Sequence, residues 1–360
     1  MKMRLSAALG LSAALLLSAC AANETTDPTG NEATTTDLSG TINGIGASSK
    51  DVAEKAWAQG FQTTVAPDAT VNYAPEGSGA GREAFMGGGA DYAGSDRAFT
   101  LEENIAGSFG KCTDTSIAYD IPVYISPVAV VFNVDGVDSL NLDATTLAAI
   151  FKGDITNWND PAISALNEGV TFPDLTITAV HRSDESGTTE NFTDYLAEIG
   201  GQVWDAEPDK AWPYEGGEAA KGTSGVVGAV TNGVGTIGYA DASQAGDLGV
   251  ANIGSDGTFN PPTPEAAAQL VETSPIEEGR AEHDLAIALD REGDGYPIIL
   301  VSYEIVCAEY QDAATAELVK AYVSYVISDE GQAVAAENAG SAPLSANLAG
   351  QAQAAIDAVK

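Results

Sequence analysis

The hydrophobic pattern changes its period near the middle of the chain, and the change predicts a strand followed by a helix. Residues 175–180 alternate between apolar and polar positions and are rich in β-branched side chains. Four apolar residues then recur with the i, i+3, i+4, i+7 spacing of a helix that buries one face: Phe192, Tyr195, Leu196 and Ile199. The polar residues 181–189 therefore predict a turn at the N-terminus of this helix.

This turn contains groups suited to binding an anion. Ser186, Gly187 and Thr188 stand at the predicted helix start, where backbone N–H groups lack partners and the positive end of the helix dipole lies. Arg182 adds a planar fork of donors, and Asp184 is placed to hold that side chain. An ordinary N-cap uses the same residue types, so the turn alone leaves an anion site and a plain cap as alternatives.

Two further small-residue turns precede helical patterns in the first third of the chain. Residues 42–49 lead into a predicted helix over 50–61, and residues 77–81 lead into another over 82–86. The apolar face of the first helix is predicted from Val52, Ala53, Ala56 and Trp57. A short strand over 90–96 ends in a polar turn at Asp96.

Strand and helix patterns alternate from residue 40 onward, which predicts an α/β architecture. Two longer apolar runs, 116–134 and 298–306, predict strands. Residues 41–360 exceed the size at which one hydrophobic core usually keeps growing, so two domains are expected.

The N-terminus resembles an export signal. Lys2 and Arg4 precede a short apolar run over 5–17, and the sequence Leu-Ser-Ala-Cys at 17–20 matches a lipobox. We expect cleavage after residue 19 and a lipid on Cys20, with a plain secretory signal as the alternative. Residues 20–40 are polar and predict a flexible tether.

Export also bears on the two remaining cysteines and on the partners of the protein. Cys112 and Cys307 form an even pair in an oxidising compartment, which favours a disulfide over two buried free thiols. The net charge of -37, from 15 basic and 52 acidic residues, argues against nucleic acid and against electrostatic binding to an anionic membrane. An anionic ligand remains compatible, because salt screens distant surface charges while local dipoles act at contact distance.

Three other motifs do not support a catalytic or metal function. Residues 233–238 match G-x-G-x-x-G, but a helical pattern precedes them and a strand follows, the reverse of a dinucleotide fold. Residues 290–295 predict an acidic surface loop, since the twelfth position of a calcium loop is not Glu. His181, Asp184 and Ser186 crowd one turn without a nucleophile elbow, and no Cys or His cluster has metal spacing. We expect neither an enzyme nor a cofactor.

Several segments, in order and spacing, resemble the phosphate-binding proteins of bacterial high-affinity phosphate ABC transporters. The specific ones are residues 44–48 (GIGAS), 77–79 (GSG) with 92–96 (YAGSD), and 182–188 (RSDESGT). Weaker ones occur at 147–158, 225–241, 296–298 and 340–344. The resemblance covers essentially everything after residue 40.

The resemblance implies a type II periplasmic-binding-protein fold with two lobes and a ligand cleft between them. Lobe 1 would be discontinuous, residues 41–125 plus 301–360, and lobe 2 would be residues 126–300. Hinges are expected near 122–131 and 298–303. By the same resemblance the protein would bind inorganic phosphate as a monomer and deliver it to the permease subunits of an ABC transporter, anchored to the membrane by its lipid.

Phosphate ligands follow from the resemblance residue by residue. Lobe 1 would supply Ser48, Ser49, Ser78 and Asp96, and lobe 2 Arg182, Asp184, Ser186, Gly187 and Thr188. The family commonly has an aromatic residue at the position of Ser49, so the first hydroxyl ligand is either Ser48 or Ser49. Asp96 would favour an anion that still carries a proton. The alternatives are a receptor for another tetrahedral oxyanion such as arsenate, a phosphatase-like enzyme, or a surface lipoprotein without the ligand.

Overall fold

The computed structural model describes residues 38–293 and 295–360. The predictions on the signal segment and on Cys20 lie outside these residues, as does most of the predicted tether. The described strands form one sheet and are β1 (Ser39–Gly46), β2 (Asp68–Ala74), β3 (Tyr92–Ser95), β4 (Ala118–Asn133), β5 (Leu140–Leu142), β6 (Thr178–Arg182), β7 (Glu218–Ala220), β8 (Thr236–Asp241), β9 (Gly249–Ser255), β10 (Thr258–Asn260) and β11 (Ile299–Cys307).

Helices alternate with these strands, as an α/β architecture requires. They are α1 (Asp51–Thr64), α2 (Ser78–Met86), α3 (Ala144–Lys152), α4 (Pro161–Leu166), α5 (Gly187–Ile199), α6 (Gly222–Asn232), α7 (Pro264–Thr273), α8 (Ala313–Ile327), α9 (Asp329–Ala339) and α10 (Ala346–Ala358). Two short 3-10 turns occur at Gly201–Val203 and Ala242–Gln244. Within the described residues, none of the helices has the length and apolar character needed to cross a membrane.

The sheet has two parallel ends joined by an antiparallel centre. Its strand order is β2-β1-β3-β11-β4-β8-β6-β7, and β9 extends from β4 to pair with β5 and β10. β1 is parallel to β2 and β3, and β6 is parallel to β7 and β8. β11 and β4 run antiparallel to each other and to their outer neighbours β3 and β8. Because ligands bind beyond the carboxyl ends of strands in α/β folds, the loops after the two parallel groups are the candidate positions for a site.

The central strands β4 and β11 confirm the two long apolar runs predicted from the sequence. β11 is buried along its whole length and β4 along nearly all of its length. They pair from Ile299 with Pro127 to Cys307 with Ala118, and the register shifts once, between Ser302 and Tyr303. Burial on both faces explains why these strands are mostly apolar, although Asp120 of β4 and Glu304 of β11 are also buried. The lobe boundaries and the hinge role of these strands stay predictions.

The predicted strand at 175–180 begins later than its pattern indicates. β6 starts at Thr178 and extends to Arg182. The residues before it bond to a loop instead of to the sheet: the N–H of Ile177 donates to Thr156 O and Leu175 O accepts from Trp158 N–H. The helix after the turn is confirmed, since α5 begins at Gly187.

A disulfide joins Cys112 to Cys307, as the sequence favoured. The Cα atoms lie 5.3 Å apart and the two residues are 195 positions apart in the chain. Cys307 ends β11, while Cys112 lies in the loop before β4, where it forms an isolated bridge with Tyr310. The bond therefore fixes the outer end of the central pair of strands.

Helix α1 buries a charged residue that the sequence pattern did not place in the core. Val52 and Ala56 of the predicted apolar face are only half-buried, whereas Glu54 is fully buried. Lys50 Nζ lies 2.9 Å from Glu54 Oε1 and 2.5 Å from Glu304 Oε1, and all three side chains are buried. Burial and the neighbouring Glu54 raise the pKa of Glu304 well above its ordinary value, against the lowering effect of Lys50.

Candidate functional site

Loops from both parallel groups of strands meet and hydrogen-bond to one another. These loops come from residues 41–125 on one side and from residues 126–300 on the other. After β1, β2 and β3 they carry Ser48, Ser49, Ser78 and Asp96, and after β6, β7 and β8 they carry Ser186, Thr223 and Gln244. The predicted ligand residues of both lobes therefore lie in one region of the molecule.

The N-terminus of α5 is capped by its own side chain. Ser186 has an extended backbone, and its hydroxyl oxygen accepts from the N–H of Thr189 at 3.1 Å. The N–H of Ser186 donates to Lys210 O at 2.9 Å. Helix geometry leaves the N–H groups of Gly187 and Thr188 without an acceptor inside the helix. The cap and the anion site are thus compatible. Ser186 caps the helix, and the N–H groups of Gly187 and Thr188 are available to an anion.

Arg182 ends β6 with its guanidinium paired to Asp184. Arg182 Nε donates to Asp184 Oδ1 at 2.8 Å and an Nη to Oδ2 at 2.5 Å. Gly222 N–H also donates to Asp184 Oδ1, at 3.0 Å. Burial acts to raise the pKa of Asp184, but the hydrogen bonds and charge of Arg182 outweigh it and hold that pKa below its ordinary value. Asp184 thus orients Arg182, which is the role its position in the turn suggested.

Asp96 is the point at which hydroxyl groups from the two sides meet. Ser49 Oγ donates to Asp96 Oδ1 at 2.6 Å, and Thr188 Oγ1 donates to Asp96 Oδ2 at 3.0 Å. The N–H of Asp96 donates to Ser78 Oγ at 3.1 Å. The buried carboxylate of Asp96 therefore accepts one hydroxyl donor from the first side and one from the helix start of the second, while its backbone N–H bonds to Ser78.

Gly187 lets the backbone of α5 approach Asp96 and Ser78 closely. A Cβ at Gly187 would lie 2.6 Å from Ser78 Oγ and 2.8 Å from Asp96 Cβ, closer than real Cβ contacts. Only glycine allows this approach, which brings the N-terminus of α5 against the loops of the first side.

Ser48 and Ser49 have different partners. Ser48 Oγ accepts from the N–H of Thr223 at 3.1 Å and lies 3.2 Å from Thr223 Oγ1, at the start of α6. Ser49 Oγ faces Asp96. Both hydroxyls lie at the junction of the two sides, so the structure keeps both as candidate ligands.

All nine predicted ligand residues lie in this region, but they do not have the same function in it. Ser186 caps a helix through its hydroxyl, and Asp184 uses both carboxylate oxygens on Arg182. The residues with a group at the junction are Ser48, Ser49, Ser78, Asp96, Gly187 and Thr188, whereas Arg182 bonds to Asp184 and Tyr239 of the second side. Their contact with phosphate stays a prediction.

Four residues of the region were missed by sequence reasoning. Asn191 Nδ2 donates to Asp96 O at 2.7 Å and to Gly187 O at 2.9 Å, joining the two sides. Tyr239 OH accepts from Arg182 N–H at 3.2 Å and lies 2.7 Å from Thr189 Oγ1. Burial raises the pKa of Tyr239 to about 12, so the hydroxyl keeps its proton. The others are Thr223 and Gln244.

A cavity of about 420 Å³ adjoins Asp96 and is lined by paired charges. Its arginines include Arg97, which lies 2.8 Å from a carboxylate oxygen of Glu190, and Arg291, which lies 2.6 Å from one of Asp194. Arg291 is buried, so the prediction that residues 290–295 form a simple acidic surface loop is wrong at this residue. These cations are neutralised by carboxylates, and of the nine predicted ligand residues only Asp96 lines this cavity.

The geometry does not support a hydrolase built on His181. Its ring stacks on Trp212 with centroids 5.0 Å apart. Nδ1 lies 3.0 Å from Arg182 O and Nε2 3.1 Å from Gly216 O. The ring nitrogens thus face backbone carbonyls, while Ser186 Oγ faces a helix N–H. In the part of the chain that the structure describes, no group of His, Cys, Asp and Glu is arranged to hold a metal ion.

Comparison with known proteins identifies the family. Residues 31–330 match the model of the PBP superfamily domain. Phosphate-binding protein PstS 3 of Mycobacterium tuberculosis is 36% identical over 375 residues, which cover 99% of this chain and 99% of the relative. The chain belongs to the PstS family of phosphate-binding proteins.

Solved structures confirm the fold of this PstS-family chain. A high-affinity periplasmic phosphate-binding protein, PfluDING, bound with phosphate, superposes with a TM-score of 0.70 at 24% identity, over 87% of this chain and 93% of its own. A phosphate-binding protein from Stenotrophomonas maltophilia superposes with a TM-score of 0.68 at 20% identity, and the match covers 88% of this chain and 93% of the other. The predicted two-lobe periplasmic-binding-protein fold is therefore confirmed.

Proposed function

We propose that this PstS-family protein binds inorganic phosphate between two closing lobes outside the cytoplasm and delivers it to the permease subunits of an ABC transporter. The proposal rests on the contacts of Asp96. Its two carboxylate oxygens accept hydrogen bonds from hydroxyl groups on the two sides of the region. A buried acceptor surrounded by hydroxyl and N–H donors suits a ligand that is both an anion and a proton donor. Relatives named for phosphate binding support the same ligand.

The donor set suits a buried oxyanion in a strongly acidic protein. Hydrogen bonds to charged groups contribute about 1.5–3 kcal/mol each, so five to eight of them offset desolvation and closure. Arg182 supplies two of its donors to Asp184, which fixes its plane. We expect a phosphate affinity in the micromolar range or tighter, about -8 kcal/mol or better.

Asp96 supplies the selectivity in this proposal. Near neutral pH, phosphate still carries a proton that it can donate to the carboxylate, whereas sulfate does not. Sulfate would place two acceptors against each other with no proton between them. The same argument does not separate phosphate from arsenate, whose protonation is similar.

The cellular setting of this proposal comes from the N-terminal sequence. Signal cleavage before Cys20 and lipidation of that cysteine would anchor the protein, and residues 21–40 would hold the body away from the membrane. We propose that a monomer works by closure of lobe 1 (41–125 and 301–360) on lobe 2 (126–300). The crossings near 122–131 and 298–303 would serve as hinges.

Titration calorimetry of the purified protein tests the proposal. Phosphate is expected to bind with a stoichiometry of one, and sulfate to bind at least about 100-fold more weakly. No heat with phosphate contradicts the proposal, and tighter binding of sulfate contradicts the role of Asp96. Comparable binding of arsenate keeps the receptor mechanism and widens its ligand class.

A chromogenic phosphate ester distinguishes the receptor from a phosphatase-like enzyme. A receptor releases no alcohol from the ester while it binds free phosphate stoichiometrically. Turnover that persists after further purification and disappears in the Asp96→Asn variant would instead support the enzyme.

A further inference from the structure

The side-chain amide of Gln244 joins the second side of the site to the backbone of the first. Gln244 Nε2 donates to Ser49 O at 2.9 Å and to Ser48 O at 3.1 Å. Gln244 ends the short turn Ala242–Gln244 that follows β8. Asp241 caps this turn by accepting from Ser243 N–H at 3.0 Å, so the position of Gln244 is fixed by the end of β8.

The two carbonyls that Gln244 contacts lie outside the hydrogen bonding of α1. The first carbonyl used inside that helix is that of Lys50, which accepts from Glu54 N–H at 2.9 Å. The carbonyls of Ser48 and Ser49 precede it and need partners from elsewhere. The side-chain amide of Gln244 can donate a hydrogen bond to each of these carbonyls, because its NH₂ group has two hydrogens.

Thr223 reinforces the same junction from α6. Its N–H donates to Ser48 Oγ, and the two hydroxyl oxygens lie 3.2 Å apart. Four hydrogen bonds thus connect residues 48–49 with Thr223 and Gln244, which are 175 to 196 positions away. Thr223 acts on a candidate ligand hydroxyl, whereas Gln244 acts only on backbone carbonyls.

We propose that Gln244 is a positioning residue that holds the ligand loop of lobe 1 against lobe 2 and so sets the lifetime of bound phosphate. The proposal rests on the function proposed above. The contacts of Gln244 exist only while the two sides are together, and in an open form water would solvate the amide and both carbonyls. The amide therefore favours the closed form over the open form without touching the ligand.

The consequence is kinetic. Phosphate meets an open cleft, in which Gln244 contributes nothing, so its association rate should not depend on this residue. Phosphate leaves only after the cleft opens, so loss of two closing hydrogen bonds should raise the dissociation rate by about tenfold.

Stopped-flow binding to the full protein tests this inference with two variants. Gln244→Ala removes the amide, and Gln244→Glu keeps its shape while replacing the donor by an acceptor facing two carbonyls. We expect dissociation to be about tenfold faster in Gln244→Ala and faster still in Gln244→Glu. Association should stay within twofold, and the melting temperature without phosphate should stay that of the wild type.

Asn232→Ala is the matched control, because the Asn232 amide also donates to a backbone carbonyl, Gly228 O at 2.7 Å, but at the exposed last residue of α6. Unchanged dissociation in both Gln244 variants, or the same acceleration in Asn232→Ala, overturns the inference. A change confined to association or to phosphate-free melting also overturns it. Absence of phosphate binding by the wild type would instead remove the proposed function itself.

Discussion

Thr188 Oγ1 donates to Asp96 Oδ2 over 3.0 Å, although the two residues are 92 positions apart in the chain. Asp96 directly follows β3, and Thr188 lies in the first turn of α5. In the proposed function, a ligand at this junction would contact donors from both sides at once, which would couple its binding to their approach.

The Asp96→Asn variant tests the selectivity of the proposed site. Without the carboxylate, sulfate no longer faces an opposed acceptor, so discrimination between phosphate and sulfate should fall by about 2–4 kcal/mol. Calorimetry with both anions measures this difference. Asp135→Asn, which removes the same charge from an exposed loop, should leave discrimination unchanged. Wild-type discrimination in Asp96→Asn would exclude Asp96 from this role.

Gly187→Ala should block the close approach of α5 to the first side. The added Cβ would lie 2.6 Å from Ser78 Oγ, so phosphate affinity should fall by at least about tenfold. Gly228→Ala is a control on another helix, where nothing lies within 4 Å of the new Cβ. That change should preserve affinity and stabilise the protein by about 0.5–1 kcal/mol. Equal phosphate affinities in the two variants would contradict the close-approach argument.

Arg182→Lys should weaken phosphate binding more than Asp184→Asn. Lysine keeps the charge but lacks the planar fork of donors, so we expect the binding free energy of phosphate to weaken by about 2 kcal/mol. Asp184→Asn keeps an acceptor for Arg182 and should cost about 1 kcal/mol. Dissociation constants of both variants, measured at one salt concentration, check the order. The reverse order would mean that Asp184 contributes more than orientation.

Asp241 predicts a pH dependence of stability. Burial raises the pKa of Asp241 to about 7, from 3.8, against the lowering effect of hydrogen bonds from Ser243. Between these values the folded protein holds a proton that the unfolded chain has lost. The free energy of unfolding therefore falls as the pH rises from about 4 to about 7, by roughly 4 kcal/mol from this group, and this contribution is constant above that range.

Asp241→Asn should remove that contribution, because asparagine keeps the shape and does not titrate. Urea unfolding at pH 4, 6 and 8 should show the variant gaining stability relative to the wild type as the pH rises. If the unfolding free energies of the two proteins changed with pH in the same way, the titrating group would be a residue other than Asp241.

The parts of the fold that sequence predicted are those encoded by local patterns. The apolar runs of β4 and β11 reflect burial on both faces, and the switch from alternation to helical spacing around residues 181–189 located the start of α5. The candidate site residues came from short motifs at strand ends, but most of them were singled out only through the resemblance of these motifs to the phosphate-binding family. These signals each lie within about ten neighbouring residues.

The rest depends on partners distant in the chain. Gln244 stands in a short turn without a motif, and its partners Ser48 and Ser49 are almost 200 residues away. Glu54 resembles a solvated residue of a first helical turn, yet it is buried because the buried Lys50 ammonium lies 2.9 Å from its carboxylate and compensates its charge. Arg291 is buried likewise, through Asn191 and Asp194. Only tertiary contacts show such compensation.

The Cys112–Cys307 bond has a consequence for proteolysis. It joins residues 195 positions apart, so the whole chain from β4 to β11 lies inside one covalent loop. A single cut by a protease within residues 113–306 leaves both fragments attached to each other. The nicked protein would migrate as one species on a denaturing gel until a reductant separates its pieces.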